Sequence, residues 1–199
     1  MPLTPGAPAD RTGVLAHRLL KYRALLCLAF GASSAARRAF DRMLSRWPGD
    51  VFALAGRGHL FAATGDRAAA LRDLRELTRL HPRSGANHWF NLAFLLEEGG
   101  QYDEAETCFR QAVELDPHLD RAWYGLGLVL IRAHRFEEAA VALKRNTELQ
   151  PMSPYGWYQL ARVHLERRRP DEAIQIIRHL KGFEPKVAAQ LERETGLAV

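Results

Sequence analysis

Residues Ala86–Leu119, ANHWFNLAFLLEEGGQYDEAETCFRQAVELDPHL, decide how the chain is read. Trp89, Leu92, Ala93 and Leu96 fall at helical spacing, so the opening predicts an amphipathic helix. Gly99-Gly100 interrupts it. Ala105, Phe109 and Ala112 resume the helical period, and Asp116-Pro117 stops it, because proline lacks an amide hydrogen and biases its predecessor away from the helical region. The stretch is a helix, a tight turn and a second helix in 34 residues.

The unit recurs. Trp123 and Trp157 each lie 34 residues beyond the previous Trp. Prolines repeat at 48, 82, 117, 151 and 185, alanines at 36, 70, 105, 139 and 173, and bulky apolar residues at Phe40, Leu74, Phe109, Leu143 and Ile177. The steps are 34, 35, 34 and 34 in all three series, with the extra residue near Ser84-Gly85. These registers divide the chain into a tail and helix start at 1–16, with Met1–Ala9 expected to be disordered, and five repeats at 17–50, 51–84, 86–119, 120–153 and 154–187. A capping helix over 188–199 follows, with Gln190, Glu192 and Arg193 expected on its outer side; a stack of repeats needs such a cover for its last apolar face.

Each series has a physical reason. The tryptophans supply large apolar contacts, and truncating one is expected to cost about 3–5 kcal/mol. Small residues at Ala93, Gly127 and Ala161, and the alanine series, let paired helices approach closely. Ser33-Ser34, Gly65-Asp66 and Asp103 are candidate caps, and Pro170 suits a first helical turn. Asn146 stands where the other units carry Met, Leu or Ala and is expected to be locally satisfied or half-exposed; His164 is expected to be packed.

These residues resemble the tetratricopeptide repeat family, whose signature is Trp-x2-Leu-Gly-x2-Tyr, then Ala-x3-Phe, then Pro. Trp123-x2-Leu126-Gly127, Ala139-x3-Leu143 and Pro151 carry the likeness, as do the corresponding residues of the units before and after. The front departs from it: Leu20 and Leu54 replace Trp, and Arg23 and Arg57 stand where the signature has Leu. The resemblance implies an all-α fold, a right-handed superhelical solenoid of antiparallel helix pairs. It also implies a concave groove, lined by the first helix of each pair, that binds peptides or partner proteins. Fold alone does not establish function.

Helical spacing then separates packed from groove-facing positions. Asn87, Phe90, Asn91, Phe94, Arg121, Tyr124, Arg132, Tyr155, Tyr158 and Arg162 are the candidate partner-binding residues. Aromatics away from the packed stripe form the kind of apolar patch that marks interaction sites, and aromatics and Arg are frequent anchors there. The same register places Arg18, Lys21, Leu25 and Leu28 in the first groove-lining helix. Lys21 and Asn91 occupy plausible spots for the carboxylate-holding set of some family members. Leu25, Gly125 and Gln159 do not complete it, so that ligand is not expected.

Bulk composition is consistent with this reading. With 47% hydrophobic and 26% charged residues, the 199-residue chain can build a sizeable core and is not disordered in character. Net charge is +5, and four of the 28 basic residues are Lys, a bias that fits GC-rich, bacterial coding. Charge is uneven: the first two repeats carry thirteen basic against five acidic residues, the third carries Arg110 against seven acids, and the last two are basic again. A partner of alternating charge, or self-association of acidic middle and basic ends, would suit the pattern. The acidic third repeat breaks any continuous basic stripe, so nucleic acid is not expected. Cys27 and Cys108 lie two repeats apart and are expected as buried thiols in a reducing compartment.

No apolar run reaches a membrane-spanning length. Arg18, Lys21 and Arg23 before Ala24–Phe30 also read as a signal-peptide pattern, which would make the protein periplasmic; the repeat register uses the same residues as a helix, so a cytoplasmic location is expected. None of the eight histidines makes a tight ligand spacing, and Gly56-Arg57-Gly58 and Gly125-Leu126-Gly127 lie inside expected helices with no preceding strand. No metal, cofactor or catalytic group is expected. The function expected is a non-enzymatic interaction scaffold that binds a partner segment in the groove. Its rivals are a bacterial secretion- or pilus-system chaperone and an accessory protein of a glycosyltransferase or other enzyme system.

Overall fold

The computed structural model describes residues 11–197; the tail expected over Met1–Ala9 lies outside them. The described residues form helices and no strand. The chain divides into two compact units between Ser84 and Gly85. The first holds α1 (Arg11–Ala29), α2 (Ser33–Arg46), α3 (Val51–Ala63) and α4 (Arg67–Leu80). The second holds α5 (Ala86–Glu98), α6 (Tyr102–Leu115), α7 (Asp120–Arg132), α8 (Phe136–Leu149), α9 (Pro154–Glu166), α10 (Pro170–Phe183) and α11 (Pro185–Thr195). Within each unit every helix packs on the next, and the short turns make neighbours antiparallel.

The periodic residues build the core. All five alanines of the series and their bulky partners Phe40, Leu74, Phe109, Leu143 and Ile177 are buried. Glycines on the odd-numbered helices make room for them: a Cβ on Gly127 would lie 2.7 Å from Leu143 Cγ, and one on Gly125 would strike the Phe109 ring. Close helix packing thus accounts for the glycine pairs that look like nucleotide-binding sequence.

The tryptophans differ from expectation. Trp89, Trp123 and Trp157 are half-buried, and the indoles of Trp123 and Trp157 donate to the carbonyls of Pro117 (3.0 Å) and Pro151 (2.8 Å). Part of each ring stays wet, so truncation costs less than the range for a fully buried Trp. What it removes includes a tie to the turn that ends the preceding helix.

Capping also needs correction. Ala32 holds the N-cap position of α2 with no side-chain bond, and Asp103 lies within the first turn of α6, where its charge suits the helix N-terminus. Asp66 does cap α4, accepting from Ala69 N at 3.0 Å. Asp50, absent from the sequence-based candidates, caps α3 by accepting from Ala53 N at 2.7 Å, while its other oxygen pairs with His17 of α1 at 2.7 Å.

Two polar departures from the repeat pattern prove structural. Arg57 grips Asp73 through Nε (2.7 Å) and Nη2 (2.8 Å) and reaches Asp41 through Nη1 (2.8 Å), so one guanidinium joins α2, α3 and α4. Asn146 is buried and satisfied: its amide donates to the Asp120 carbonyl at 2.9 Å, and its oxygen abuts Gly156, where a side chain would collide.

Candidate functional site

The candidate residues fall into a ladder on α5, α7 and α9 of the second unit. The 34-residue repeat makes Asn87, Arg121 and Tyr155 equivalent positions, and likewise Phe90, Tyr124 and Tyr158. Equivalent positions on successive pairs come to lie side by side, and local contacts show it. Arg121 Nη2 donates to Asn87 Oδ1 at 2.9 Å while its guanidinium lies 4.7 Å from the Phe90 ring centre. Phe90 stacks on Phe94 at 6.3 Å and touches the buried Phe109 at 6.1 Å. Phe90 is therefore partly core, whereas Phe94 is 45% exposed.

Tyr124 and Tyr155 lie at the centre. A concavity of about 390 Å³ is lined by Tyr124, Tyr155, Tyr158, Gln159, Val187 and Gln190. A second, of about 360 Å³, shares Tyr124 and Tyr155 and adds Arg121 and Asn146. Burial pushes the Tyr124 phenol above its ordinary range, against a hydrogen bond with Gln159 that favours the ionised form, so Tyr124 stays a neutral hydroxyl. Tyr155 is 70% exposed. Glu97, half-buried on α5, is likewise pushed upward by desolvation, with the Arg132 charge opposing.

Other candidates are engaged internally. Tyr158 donates to Glu194 of α11 at 2.5 Å, and Arg162 lies over its ring at 5.7 Å. The hydrogen bond to Glu194 raises the Tyr158 pKa. The Arg132 guanidinium lies 4.8 Å from the Tyr102 ring of α6. Asn91 is half-buried. On the last helix Gln190 and Arg193 are exposed, Gln190 lines the concavity, and Glu192 pairs with Lys181 at 2.9 Å. Sequence reasoning missed Gln159, Gln190 and Glu194 as neighbours of the tyrosines. The register of position 91 could have flagged Gln159, but nothing in the repeat pattern places α11. A further cleft, of about 510 Å³, lies elsewhere, among α8, α9 and α10; Trp157, Leu160, His164 and His179 line it, and none of the candidates does.

A family model of the tetratricopeptide repeat matches residues 56–120, 90–145 and 124–185. The chain belongs to the tetratricopeptide repeat family. No curated protein sequence matches it. Among solved structures, it is similar to a crystal structure of MamA protein at 17% identity and a TM-score of 0.77, covering 92% of this chain and 97% of that one. MamA from Desulfovibrio magneticus, residues 41 to the end, aligns at 20% identity and a TM-score of 0.74, covering 90% and 98%. YrrB, described as a TPR protein with an unusual peptide-binding site, aligns at 17% identity and a TM-score of 0.76, covering 85% and 88%. At these identities the likeness concerns the fold. In tetratricopeptide terms, the ladder runs along the first helix of each of three successive helix pairs, α5–α6, α7–α8 and α9–α10. No cluster of three metal-capable side chains occurs, and no helix is long and apolar enough to cross a membrane, among the described residues.

Proposed function

We propose that the chain is a non-catalytic interaction scaffold that binds a segment of a partner protein on the α5–α7–α9 face of its second unit. The observation that carries this reading is the pair of adjoining concavities that share Tyr124 and Tyr155. Phe94 stands exposed on the same ladder, and Gln159 and Gln190 offer amides that can pair with a peptide backbone. Aromatic surface beside amide groups is the composition of an interface core with a polar rim. The peptide-binding description of YrrB agrees with this use of the fold, without indicating the same site.

A peptide library displayed on phage, panned against the full chain, would supply a ligand. Phe94→Ala, Tyr124→Ala and Tyr155→Ala combined should weaken its binding at least about tenfold, the loss of one hot-spot's worth of energy. Helicity should stay near wild type, with a small fall in melting temperature from the loss of the half-buried Tyr124. Phe90 and Tyr158 are left intact, because one packs on Phe109 and the other holds Glu194. Undiminished binding by the triple variant overturns the proposal.

A further inference from the structure

Of the fifteen large apolar side chains that stand exposed among the described residues, eight lie between Val14 and Phe30, on α1 and the turn after it. Leu15, Leu19, Tyr22 and Leu26, at spacings of four, three and four, form one stripe along the helix, between 60% and 70% exposed. Phe30, 84% exposed, continues the stripe at its end. The opposite side of α1, through Gly13, Leu20 and Ala24, is the side turned inward. The stripe has no partner within its unit, and water penalises it.

Charge indicates what covers it. At 100° per residue, Arg18 and Arg23 project roughly 60° and 80° to either side of Leu15. Both are exposed, as is Lys21 farther round. No Asp or Glu occurs anywhere in α1. The paired helix α2 exposes Arg37, Arg38, Arg42 and Arg46 and no large apolar side chain. The apolar surface is thus a ridge on one helix. It lacks the second wall that would make a groove for a partner helix. A second copy packed stripe to stripe would set these arginines against their own kind. The α11 end of another copy exposes Lys186, Gln190, Arg193 and Glu194 and offers no apolar match.

We propose that α1 docks flat on a bilayer surface bearing anionic headgroups. Leu15, Leu19, Tyr22, Leu26 and Phe30 enter the headgroup–acyl boundary, Arg18 and Arg23 meet phosphates on either side of the stripe, and Val14 and Leu25, exposed beyond Arg18, widen the apolar surface on that side. An apolar face flanked by cations, with an aromatic at the boundary, is what an interfacial helix requires. The surface is distinct from the peptide-binding face proposed above and does not depend on it.

Co-sedimentation of the full chain with vesicles tests the inference. The wild type should sediment with phosphatidylcholine vesicles containing phosphatidylserine and stay in solution with phosphatidylcholine alone. Arg18→Gln with Arg23→Gln should weaken binding about thirtyfold, at about fivefold per cation near an anionic surface. Leu19→Gln with Leu26→Gln should abolish it, and circular dichroism should show both variants folded, since all four positions are exposed. Failure to sediment with the anionic vesicles overturns the proposal. So does binding that survives the leucine substitutions. A wild-type dimer in sedimentation equilibrium that the leucine variant dissociates also overturns it, by assigning the stripe to a second copy.

Discussion

One residue in each turn between paired helices must take a left-handed conformation. Gly31, Gly65 and Gly100 do so at φ 69°, 85° and 76°, and the same position is filled by His134 at φ 56° and Arg168 at φ 57°. A side chain at such an angle crowds the following carbonyl, at a cost of roughly 1–2 kcal/mol, whereas glycine is at ease there. His134→Gly and Arg168→Gly should therefore each stabilise the protein by about 0.5–1 kcal/mol in urea titration, after the extra unfolded-state freedom of glycine is subtracted. Unchanged or lower midpoints would show that the side chains offset the strain. This position was hidden in the sequence. Its residue type changes from Gly to His to Arg, and only the backbone angle repeats.

At the scale of elements, the first unit replaces apolar packing with a salt bridge. Arg57 occupies the site that the repeat signature gives to Leu, and Asp73, its bidentate partner, is buried. Removing the cation alone leaves a buried carboxylate, whereas removing both partners leaves an apolar pair. Arg57→Leu should thus cost roughly 2–3 kcal/mol, and Arg57→Leu with Asp73→Leu should recover most of it. Chemical denaturation of the two variants checks this; equal losses would mean that the bridge itself carries the packing. The departures of the first two repeats from the signature were legible in the sequence, but their compensation was not. Asp73 lies 16 residues from Arg57, as does Asp41 in the other direction, and no local pattern links them.

For the whole molecule, His164 introduces a dependence on pH. Burial, with Arg167 and Arg169 adding and Glu172 opposing, holds its pKa below the ordinary 6.5. The unfolded chain therefore takes up the proton first as pH falls. The contribution of this residue to stability is complete above about 6.5 and is lost as pH falls through the folded-state value. Stability should fall as pH drops below about 6.5, and His164→Tyr should reduce that fall; parallel curves would remove His164 as the cause. The same division of information holds for the fold and the site. The 34-residue period of Pro, Ala and bulky residues determined the family, the helical class and the equivalence of positions 87, 121 and 155, because each is a matter of local spacing. Spacing also singled out the tyrosines of the candidate face. Only the tertiary structure decided that Tyr124 and Tyr155 share two concavities, that Tyr158 and Arg132 are engaged elsewhere, and that the outer stripe of α1 has no neighbour in its unit. The reason is physical: a side chain's period specifies the direction in which it points along its own helix, but what it meets there belongs to another part of the chain.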